Sequence, residues 1–584
     1  MSERGGRSLT GARWRLKPAD ERVVARLSRE LGISRVTARA MSCRGISDPA
    51  QGRRFLERDL SGLGDPFAMR DMDRAVAIVQ EALAAGGRIR IYGDYDVDGV
   101  CGTAMLVRAL EGLARGAGAG CEVDWYVPHR VDEGYGLNEE AVRQAAAEGV
   151  TLFITVDCGT TAVDEVAAAR ALGMQVIVTD HHRPEKALPE APVLNPWRED
   201  CGYPFKDLAG VGVAFKLVTA LARAAGLPEG AELRFLDLVC LGTVADVVPL
   251  LGENRLFVQH GLQQLSRPRK AGVKALVEAA GVTGTVGSRT VAFGLAPRIN
   301  AAGRMEHARA AVRLLLTRDE EEARRLAQDL SAQNARRQDE EQRTLAEAEE
   351  MVAAGVDLAR EKVIVLASER WHPGVIGIVA SRLVERHHRP VLLVAVSEGM
   401  GKGSGRSVTA LNLWEALHEC REVLTRFGGH HYAAGFAVSA ERIDALRQRI
   451  NEVAEARLSI DDLTPVIDVD VEARPAEMTV AQVTELNGLA PFGVGNPAPV
   501  LVSRRLRVAE VQAVGDGSHL SLRLCEEAHR GAPVGAIWFG RGDLAGALGP
   551  GTLVDVCYRP RLEEWGGTVS VRLHVEDVRV STGA

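Results

Sequence analysis

The stretch IYGDYDVDGV has the side chains of this sequence that are best suited to chemistry. Three aspartates two residues apart, Asp94, Asp96 and Asp98, follow an apolar run. Like charges this close repel one another, and beside a low-dielectric core water screens the repulsion poorly. Bound cations would offset it, and so would exposure on a solvated loop. If these residues continue the preceding strand, its period of two places all three carboxylates on one face.

Further acidic residues and histidines follow later apolar runs: Asp157 in VDCGTT, Asp180, His181 and His182 in VTDHHRPE, and Asp246 in LGTVADVVPL. One such aspartate is usually a helix cap or a solvated turn. Their recurrence on successive elements instead indicates one shared site. Carboxylates with imidazole suit Mn²⁺ or Mg²⁺. Two such ions, about 3.5–4 Å apart, can activate a water and stabilise the leaving oxygen of a phosphoester.

A regular alternation of helical and strand patterns would position these residues. Between about residues 76 and 250, segments such as AVAIVQEALAAGG alternate with short apolar runs such as RIRIYGD, TLFITVD and MQVIVTD. This rhythm predicts a parallel sheet flanked by helices. In open sheets of this kind ligands bind outside the carboxyl ends of the strands. We therefore expect the acidic residues at one edge of the sheet.

The rest of the chain predicts three further regions. Residues 317–355 contain no glycine or proline before Gly355 and few large apolar residues in the middle, which predicts a long, largely solvated helix joining two lobes. A coiled coil is the alternative, and the missing apolar seam argues against it. EKVIVLASE begins a second α/β unit. Alternating strands from about residue 465 predict a small β-barrel.

Composition excludes several classes of protein. The 46% hydrophobic and 26% charged residues are those of a soluble globular protein, and a net charge of −7 argues against an overall basic coat while allowing a local basic groove. The nine cysteines show no CxxC spacing, which argues against a disulfide framework or a structural zinc site. No signal-like segment or long apolar run is present in the sequence. We expect a cytoplasmic protein.

Two sets of motifs resemble known families. GDYDVDGVCGTA, VDCGTT, TDHH and GTVADVVPL resemble the four motifs of the DHH phosphoesterase superfamily. PRINAAGRM, WHPGVIGIVASRL, GKGSGRS and RFGGHHYAAGF are similar to later motifs of its RecJ family, bacterial single-strand-specific 5′→3′ exonucleases. The resemblance runs from about residue 75 to the end. It implies an α/β fold in which a parallel-sheet DHH domain and a second α/β domain, DHHA1, are joined by the long helix and followed by an OB-like β-barrel.

The domain boundaries expected from pattern and resemblance together divide the chain into six parts. These are a mostly helical N-terminal extension (1–75), the DHH catalytic domain (76–260), a helical continuation containing PRINAAGRM (261–316), the long connecting helix (317–355), the DHHA1 substrate-binding domain (356–460) and the OB-like domain (461–584).

The resemblance also implies roles for individual residues. It places six side chains around two Mn²⁺ or Mg²⁺ ions: Asp94, Asp96, Asp98, Asp157, His181 and Asp246. The expected catalytic set is Asp96, Asp98, Asp157, His181 and His182, with His182 as a ligand or directly behind one. Small relatives have a histidine where this chain has Tyr92, so Asp94 is expected to take that ligand role.

Substrate contacts are expected from further segments. In GKGSGRS the glycines would allow close backbone approach and the arginine offers a bidentate fork for phosphate, as in the terminal-phosphate pocket of the family. For each arginine a surface salt bridge is the alternative. The candidate substrate-binding residues are Arg130, Tyr135, Arg298, Asn300, Arg304, Lys402, Ser404, Arg406, Ser407, Gly429, His430 and His431.

The C-terminal β domain interleaves basic and aromatic residues, a pattern typical of surfaces that hold single strands without sequence preference. These residues are Arg504, Arg505, Arg507, Trp538, Phe539, Arg541, Tyr558, Arg559, Arg561 and Trp565. Many of the aromatic side chains are also needed for the core of the domain.

These features favour a two-metal exonuclease that threads single-stranded DNA between two lobes, docks its 5′ end near Arg406 and releases 5′-mononucleotides. The resemblance implies that it acts in recombination and repair. The partners implied by resemblance are single-stranded DNA, a single-strand-binding protein and a helicase. The alternative is a DHH phosphodiesterase for very short oligonucleotides or cyclic dinucleotides, although those enzymes are typically much shorter. A non-catalytic DNA-binding scaffold would show degenerate motifs, whereas here every acidic position is filled.

Overall fold

The computed structural model describes residues 8–118, 120–130, 132–185, 187–305, 307–526 and 533–581. The chain forms two compact units. One consists of Arg58–Gln338 with Pro491–Pro497, and the other of the described residues of Met1–Glu57, Asp339–Ala490 and Ala498–Ala584. None of the described helices has both the length and the apolar character that a membrane span requires.

The unit Arg58–Gln338 is built on a five-stranded parallel sheet, which confirms the predicted arrangement. Parallel strands are connected by crossovers, so helices cover both faces of the sheet and its strands are almost continuously apolar. From one edge to the other, the strands are Glu122–Tyr126, Arg88–Gly93, Val150–Val156, Gln175–Thr179 and Val193–Leu194.

Small residues allow the helix Val97–Ala117 to lie against this sheet. A Cβ added at Gly102 would lie only 2.5 Å from Cγ1 of Val156. The helices of this unit are Met72–Ala84, Val97–Ala117, Glu139–Ala147, Val163–Ala171, Gly210–Ala224, Leu236–Ala245, Gly252–Leu265, Ala271–Ala279, Ser288–Thr290, Ala296–Met305 and Arg309–Leu316, with a π-helix at Val291–Leu295 and 3-10 turns at Leu60–Gly62, Pro66–Ala68 and Ala231–Phe235.

A single helix, Glu320–Gly355, contains 36 residues, and its sequence is divided between the two units at Gln338. Asp319 begins the helix, because its carboxylate accepts hydrogen bonds from the amides of Glu321 and Glu322 at 2.8 and 2.7 Å. The prediction of a largely solvated middle holds for the exposed positions on one side of the helix but is wrong for the other side. A stripe of polar side chains there is buried: Gln333, Asn334, Arg337, Glu341 and Thr344. Apolar periodicity cannot reveal a buried face made of polar residues.

The second unit contains a mixed five-stranded sheet. Its strands, in spatial order, are Arg426–Gly429, Ala433–Ser439, Met400–Arg406, Val391–Ser397 and Ile364–Ser368. Only the last two strands are parallel. Helices Ile376–His387, Leu413–His418 and Ile443–Arg457 accompany the sheet, and its core is rich in valine and leucine.

The C-terminal strands form a closed barrel, as predicted. Closure follows because Leu501–Val514 pairs with His519–Glu526 on one side and with Leu553–Trp565 on the other. A closed sheet has no exposed edge at which another chain could pair. The remaining strands are Val471–Glu472, Val534–Trp538 and Thr568–Val580. The helix Val480–Asn487 lies in the sequence between the strands Val471–Glu472 and Leu501–Val514.

The described residues from Ser8 to Glu57 belong to the same unit as the barrel. The strand Arg13–Leu16 pairs in parallel with Val466–Val469. It is followed by the helices Glu21–Leu31, Arg35–Ser42 and Pro49–Leu56.

Candidate metal centre

Seven side chains that are far apart in the sequence converge at the carboxyl edge of the parallel sheet. They form three groups whose ligand atoms lie within 4.8 Å of one another: Asp157 with His181 and His182, Asp98 with His181 and Asp246, and Asp94 with Asp96 and Asp157. Because two of these residues belong to two groups each, the arrangement suits neighbouring cations that share ligands.

The DYDVD segment changes from strand to helix within a few residues. The strand ends before Asp94, Asp96 is the N-cap of the following helix, and Asp98 lies in the first helical turn. The three residues therefore do not continue the strand, so the condition for a shared strand face is not met. Their side chains meet because the chain turns between them. Gly99 permits this turn, since an added Cβ would lie 2.5 Å from the carbonyl oxygen of Asp94.

The N-terminus of the helix Gly210–Ala224 positions two of the carboxylates. Asp98 accepts hydrogen bonds from the amides of Gly210 and Val211, at 2.6 and 2.8 Å. The helix dipole also favours a carboxylate at this end. A Cβ added at Gly210 would lie 2.6 Å from Oδ1 of Asp157, so no larger residue fits without displacing that carboxylate.

Two non-glycine residues at the centre have left-handed backbone conformations. Asp157 has a φ of 63°, and so does Val247, which directly follows Asp246. Such conformations cost about 1–3 kcal/mol each and persist where the surrounding fold enforces them. Here the fold maintains the left-handed conformations of Asp157 and Val247, and these residues carry or adjoin carboxylates of the candidate metal centre.

His181 is positioned to bind a cation through one ring nitrogen. Its ring is hydrogen-bonded to the backbone of Leu208. Its Nε2 lies 3.1 Å from Oδ1 of Asp157 and 3.5 Å from Oδ2 of Asp246. Burial lowers the pKa of His181 to about 4, so the imidazole is neutral at physiological pH, as a metal ligand must be.

Asp180 orients His182, a role that the sequence did not reveal although both residues stand in the TDHH motif. Its Oδ1 lies 2.8 Å from Nδ1 of His182, and it accepts a hydrogen bond from the amide of Thr160 at 2.9 Å. Burial favours the neutral acid, but the hydrogen bond and charge of His182 outweigh it and lower the pKa of Asp180. A carboxylate behind a histidine commonly fixes its ring orientation at metal sites.

The electrostatics of the centre show why it needs cations. Burial, and then the charge of neighbouring carboxylates, raises the pKa of Asp98 to about 7 and also raises those of Asp94, Asp157 and Asp246. Oδ1 of Asp157, Nε2 of His181 and Oδ2 of Asp246 are buried without a hydrogen-bond partner of acceptable geometry among the described residues. Buried polar atoms without partners are rare in folded proteins. Divalent cations would satisfy these atoms and neutralise the carboxylates.

Tyr92, which replaces the histidine of small relatives, is a core residue. It is fully buried and donates a hydrogen bond to the carbonyl of Gly136 at 2.9 Å. Its ring stacks on Tyr126, with 5.5 Å between the centroids. None of these contacts involves a cation site, so Asp94 keeps the expected ligand role as a prediction.

Predicted substrate residues of the same unit lie beside the centre. The Tyr135 hydroxyl is 3.0 Å from Nδ1 of His182 and donates to the carbonyl of Asp157 at 3.2 Å. The guanidinium of Arg130 lies 5.0 Å from the ring centroid of Tyr95, in the DYDVD segment. Both side chains therefore lie beside residues of the candidate metal centre, and their contact with substrate stays a prediction.

The PRINAAGRM segment forms the helix Ala296–Met305, which closely approaches the DYDVD segment. A Cβ added at Gly303 would lie 2.8 Å from the carbonyl oxygen of Tyr95. This helix carries Asn300 and Arg304, both partly buried. Arg298 packs locally instead, because it donates to Oγ of Ser331 at 3.1 Å and to the carbonyl of Gly294 at 2.5 Å. The sequence did not distinguish these environments.

In the second unit, GKGSGRS is part of a strand, Met400–Arg406, and not a phosphate-binding loop. The expected reason for its glycines is therefore wrong. They face the core, where a Cβ added at Gly403 would lie 2.2 Å from Phe436. The period of two places the polar side chains on the opposite face. These are Lys402, Ser404 and Arg406.

Ser404 and Arg406, of the predicted phosphate pocket, lie against the first turn of the helix Ile376–His387. NH1 of Arg406 lies 3.1 Å from Oγ of Ser404. A Cβ added at Gly377, in the first helical turn, would lie 2.9 Å from Oγ of Ser404 and 3.0 Å from NH2 of Arg406. A guanidinium, a hydroxyl and a helix N-terminus together suit a phosphate group.

Ser407 does not face this pocket, because it is buried and its hydroxyl donates to the carbonyl of Leu411 at 2.8 Å. His431 is also engaged locally, with Nε2 3.0 Å from the carbonyl oxygen of Thr409. His430 is exposed. Gly429 has a φ of 149°, and an added Cβ there would lie 2.4 Å from the carbonyl oxygen of Ala433, so the hairpin itself requires a glycine.

The aromatic residues of the barrel separate into core and surface. Trp538 and Tyr558 are buried, whereas Phe539 is 54% exposed and Trp565 is 88% exposed. Phe539 contacts the rings of His519 and His574, with centroid distances of 5.1 and 5.3 Å. Only the exposed rings are available to stack on bases.

Comparisons with known families agree with this architecture. The profile of the DHH family, N-terminal domain, matches residues 88–243, that of the DHHA1 domain matches residues 360–456, and that of the RecJ OB domain matches residues 469–577. The single-stranded-DNA-specific exonuclease RecJ of Bacillus subtilis (strain 168) is 39% identical over 575 residues, which cover 97% of this chain and 71% of that protein. The chain belongs to the RecJ family.

Another RecJ, from Escherichia coli (strain K12), is 36% identical over 549 residues, covering 90% of this chain and 92% of that one. The crystal structure of RecJ in complex with Mn²⁺ from Thermus thermophilus has a TM-score of 0.83 and 35% identity, covering 100% of this chain and 81% of that one. A structure of the same RecJ with Mg²⁺ has a TM-score of 0.77 and 34% identity, covering 98% and 79% of the two chains. The resemblance to RecJ predicted from the motifs is thus confirmed.

Proposed function

We propose that this chain is a metal-dependent 5′→3′ exonuclease that degrades single-stranded DNA to 5′-mononucleotides. The observation that carries the proposal is the convergence of five aspartates and two histidines into three overlapping groups of ligand atoms. Relatives that are 34–40% identical over most of the chain are named single-stranded-DNA-specific exonucleases, which supports the choice of substrate.

The residues of the centre divide the work of hydrolysis. Asp94, Asp96, Asp98, Asp157, His181 and Asp246 would hold two Mn²⁺ or Mg²⁺ ions, with His182 beside them. When bound, such ions lower the pKa of a water and stabilise charge on a phosphoester. The Tyr135 hydroxyl lies 3.0 Å from Nδ1 of His182 and donates to the carbonyl of Asp157, and it would turn the same proton to a phosphate oxygen when substrate binds.

The pocket of Ser404 and Arg406 would bind the terminal 5′-phosphate. Arginine presents a planar fork that matches phosphate geometry, and the first turn of the helix Ile376–His387 supplies backbone amides. Exposed rings on the barrel, Phe539 and Trp565, would stack on bases further along the strand. Stacking tolerates any base, which suits an enzyme that degrades strands without regard to sequence.

We further propose that the chain acts in the cytoplasm during recombination and repair, together with a single-strand-binding protein and a helicase. All nine cysteines are free, which suits a reducing compartment. The protein partners are proposed on family resemblance alone.

The test of the metal centre is the variant Asp98→Asn with a 3′-labelled single strand, a matched duplex and Mn²⁺. We expect a loss of at least about 10³-fold in kcat on the single strand. The two amides of the helix Gly210–Ala224 hold the Asp98 carboxylate in place at the candidate metal centre, and asparagine lacks its charge. The exposed Glu140→Gln variant is the control and should match the wild type. Undiminished degradation by Asp98→Asn would contradict the proposal.

The test of the 5′ pocket compares strands with a 5′-phosphate and a 5′-hydroxyl. Arg406→Ala should reduce kcat/KM about 10- to 100-fold on the strand with a 5′-phosphate and much less on the strand with a 5′-hydroxyl. Arg442→Ala, in an exposed turn, is the control and should change neither value.

A series of strand lengths distinguishes the exonuclease from the alternative function, a phosphodiesterase for short substrates. Activity that collapses above a few nucleotides would favour a phosphodiesterase for short oligonucleotides.

A further inference from the structure

A second charged cavity lies in the unit Arg58–Gln338, away from the metal centre. Its volume is about 880 Å³, and its lining contains eight lysines and arginines but only two carboxylates. The C-terminal half of the helix Val97–Ala117 forms one wall, through Arg108 and Arg115. Arg108 is ten residues beyond Asp98 on this helix, which is about 15 Å along its axis. The cavity is thus separate from the cations, and nothing in the proposed nuclease function uses it.

Internal partners neutralise only part of this charge. Lys270 contacts both carboxylate oxygens of Asp237, at 2.7 and 2.8 Å. Lys274 lies 3.5 Å from a carboxylate oxygen of Glu320. Both carboxylates of the lining are therefore already engaged by lysines.

The arginines of the cavity have weaker or neutral partners. Arg108 donates to the backbone carbonyls of Leu315, Leu316 and Thr317, at 3.0, 3.0 and 3.2 Å, and carbonyls carry no net charge to balance the guanidinium. Arg115 and Arg318 share one carboxylate, that of Glu111, at 3.5 and 3.6 Å. An excess of positive charge remains in the cavity.

Two more arginines stand at the rim. Arg267 and Arg269 are exposed, and their side chains make no hydrogen bond or ion pair with any part of the chain that the structure describes. The helix Ala271–Ala279 begins directly after them, with a lysine in place of a hydrogen-bonding cap, and its first residue lines the cavity. A helix N-terminus adds further positive potential. In a chain of net charge −7, so much uncompensated positive charge in one concavity indicates an anionic ligand.

The size and lining of the cavity restrict that ligand. Pockets for small molecules and cofactors measure about 300–1,000 Å³, and a single phosphate would leave most of this cavity and its cations unused. Leu60, Leu233 and Phe235 contribute apolar surface. A ligand with several phosphate groups and one flat apolar part satisfies both the charge and the apolar surface.

We propose that this cavity is a binding site for a nucleoside triphosphate, separate from the nuclease centre. The phosphates lie among Arg108, Arg267, Arg269 and Lys270, and the nucleoside rests on the apolar wall. The site would let a nucleotide influence an enzyme that itself produces nucleotides. Binding does not depend on the proposed nuclease activity, because none of the residues involved contacts a predicted cation ligand.

The experiment measures binding to the full-length protein by calorimetry, with a chelator present so that cations at the nuclease centre cannot recruit phosphate. Four ligands are titrated: adenosine triphosphate, adenosine monophosphate, inorganic tripolyphosphate and a single-stranded oligonucleotide. The test variant is the double substitution Arg267→Glu with Arg269→Glu. The control, Arg53→Glu with Arg54→Glu, makes the same change in net charge at exposed positions that do not line the cavity.

We expect the wild type and the control to bind triphosphate at least tenfold more tightly than monophosphate, and the test variant to lose at least tenfold in triphosphate affinity. Its nuclease activity with Mn²⁺ and its circular dichroism spectrum should stay unchanged. Absence of triphosphate binding by the wild type, or equal binding by both double variants, would overturn the proposal. A test variant that loses oligonucleotide affinity but keeps triphosphate affinity would also overturn it, and would assign the cavity to a nucleic-acid backbone.

Discussion

Nδ1 of His182 lies 2.8 Å from Oδ1 of Asp180, a carboxylate that is only 1% exposed. The main chain of His182 is also held, because Asn195 donates to its carbonyl oxygen at 2.8 Å. Ring and backbone of this histidine are thus fixed independently of any cation. A histidine fixed in this way needs no rearrangement when substrate arrives.

Asp180→Asn should therefore impair the enzyme although Asp180 is not a predicted cation ligand. The amide keeps the size of the side chain but removes the charge that orients His182. We expect kcat to fall about 10- to 100-fold, with weaker Mn²⁺ binding by calorimetry. Asp164→Asn, on an exposed position of the same sheet domain, is the control. A fully active Asp180→Asn enzyme would show that His182 needs no such partner.

Gly210→Ala should damage the centre by steric means alone. The new Cβ would lie 2.6 Å from Oδ1 and 2.8 Å from Cγ of Asp157, which is closer than non-bonded atoms tolerate. We expect Mn²⁺ affinity and kcat to fall together, by about tenfold or more, while the melting temperature changes little. Gly202→Ala is the control because no atom lies within 4 Å of its added Cβ. Equal activity of the two variants would contradict this account of Gly210.

The sequence predicted the sheet and the barrel, and it identified the acidic residues and histidines that the structure brings together, because each of these features has a local signal. Apolar runs that alternate with helical patterns identify the parallel sheet, and aspartates at the ends of those runs identify its functional edge. Contacts between distant residues have no such signal. Nothing local shows that Asp98 is held by the amides of Gly210 and Val211.

The glycines of GKGSGRS show how a correct motif can be explained wrongly. A run of alternating glycines resembles a phosphate-binding loop, but here the glycines make room for Phe436 and its neighbours in the core. The buried polar stripe of the helix Glu320–Gly355 was missed for a related reason, since periodicity reports only apolar faces. In both cases the deciding partner is remote in sequence.

Arg198→Met should lower stability in a pH-dependent way. The Arg198 guanidinium is buried and contacts both Asp200 oxygens at 2.9 and 2.8 Å and Asp71 at 2.5 Å. At neutral pH its removal should cost about 3 kcal/mol, because Asp71 is largely buried and loses its shortest ion pair. The thermal midpoint of the purified protein is the measurement.

The sign of the pH effect follows from Asp200. Its hydrogen bond with Arg198 lowers the pKa of Asp200 below the ordinary value, so the stabilisation is present above about pH 4 and is lost as the pH falls through the lowered pKa. The difference in thermal unfolding midpoint between the wild type and Arg198→Met should therefore be large at pH 7 and become smaller below pH 4. Arg223→Met removes only an exposed ion pair and should change the midpoint little at either pH. A difference that is constant with pH would contradict the role given to Asp200.

Phe539→Ala should weaken the binding of long single strands without affecting the chemistry at the cations. The ring is 54% exposed and contacts the rings of both His519 and His574, so it presents a supported stacking surface. Loss of one stacked base costs about 1–3 kcal/mol, which predicts an increase of about tenfold in Kd for a long strand and an unchanged kcat on a short one. Fluorescence anisotropy with strands of increasing length measures this. Val569→Ala removes a comparably exposed apolar side chain from the same domain and is the control. If both variants bind long strands as the wild type does, the exposed face of Phe539 does not contact the substrate.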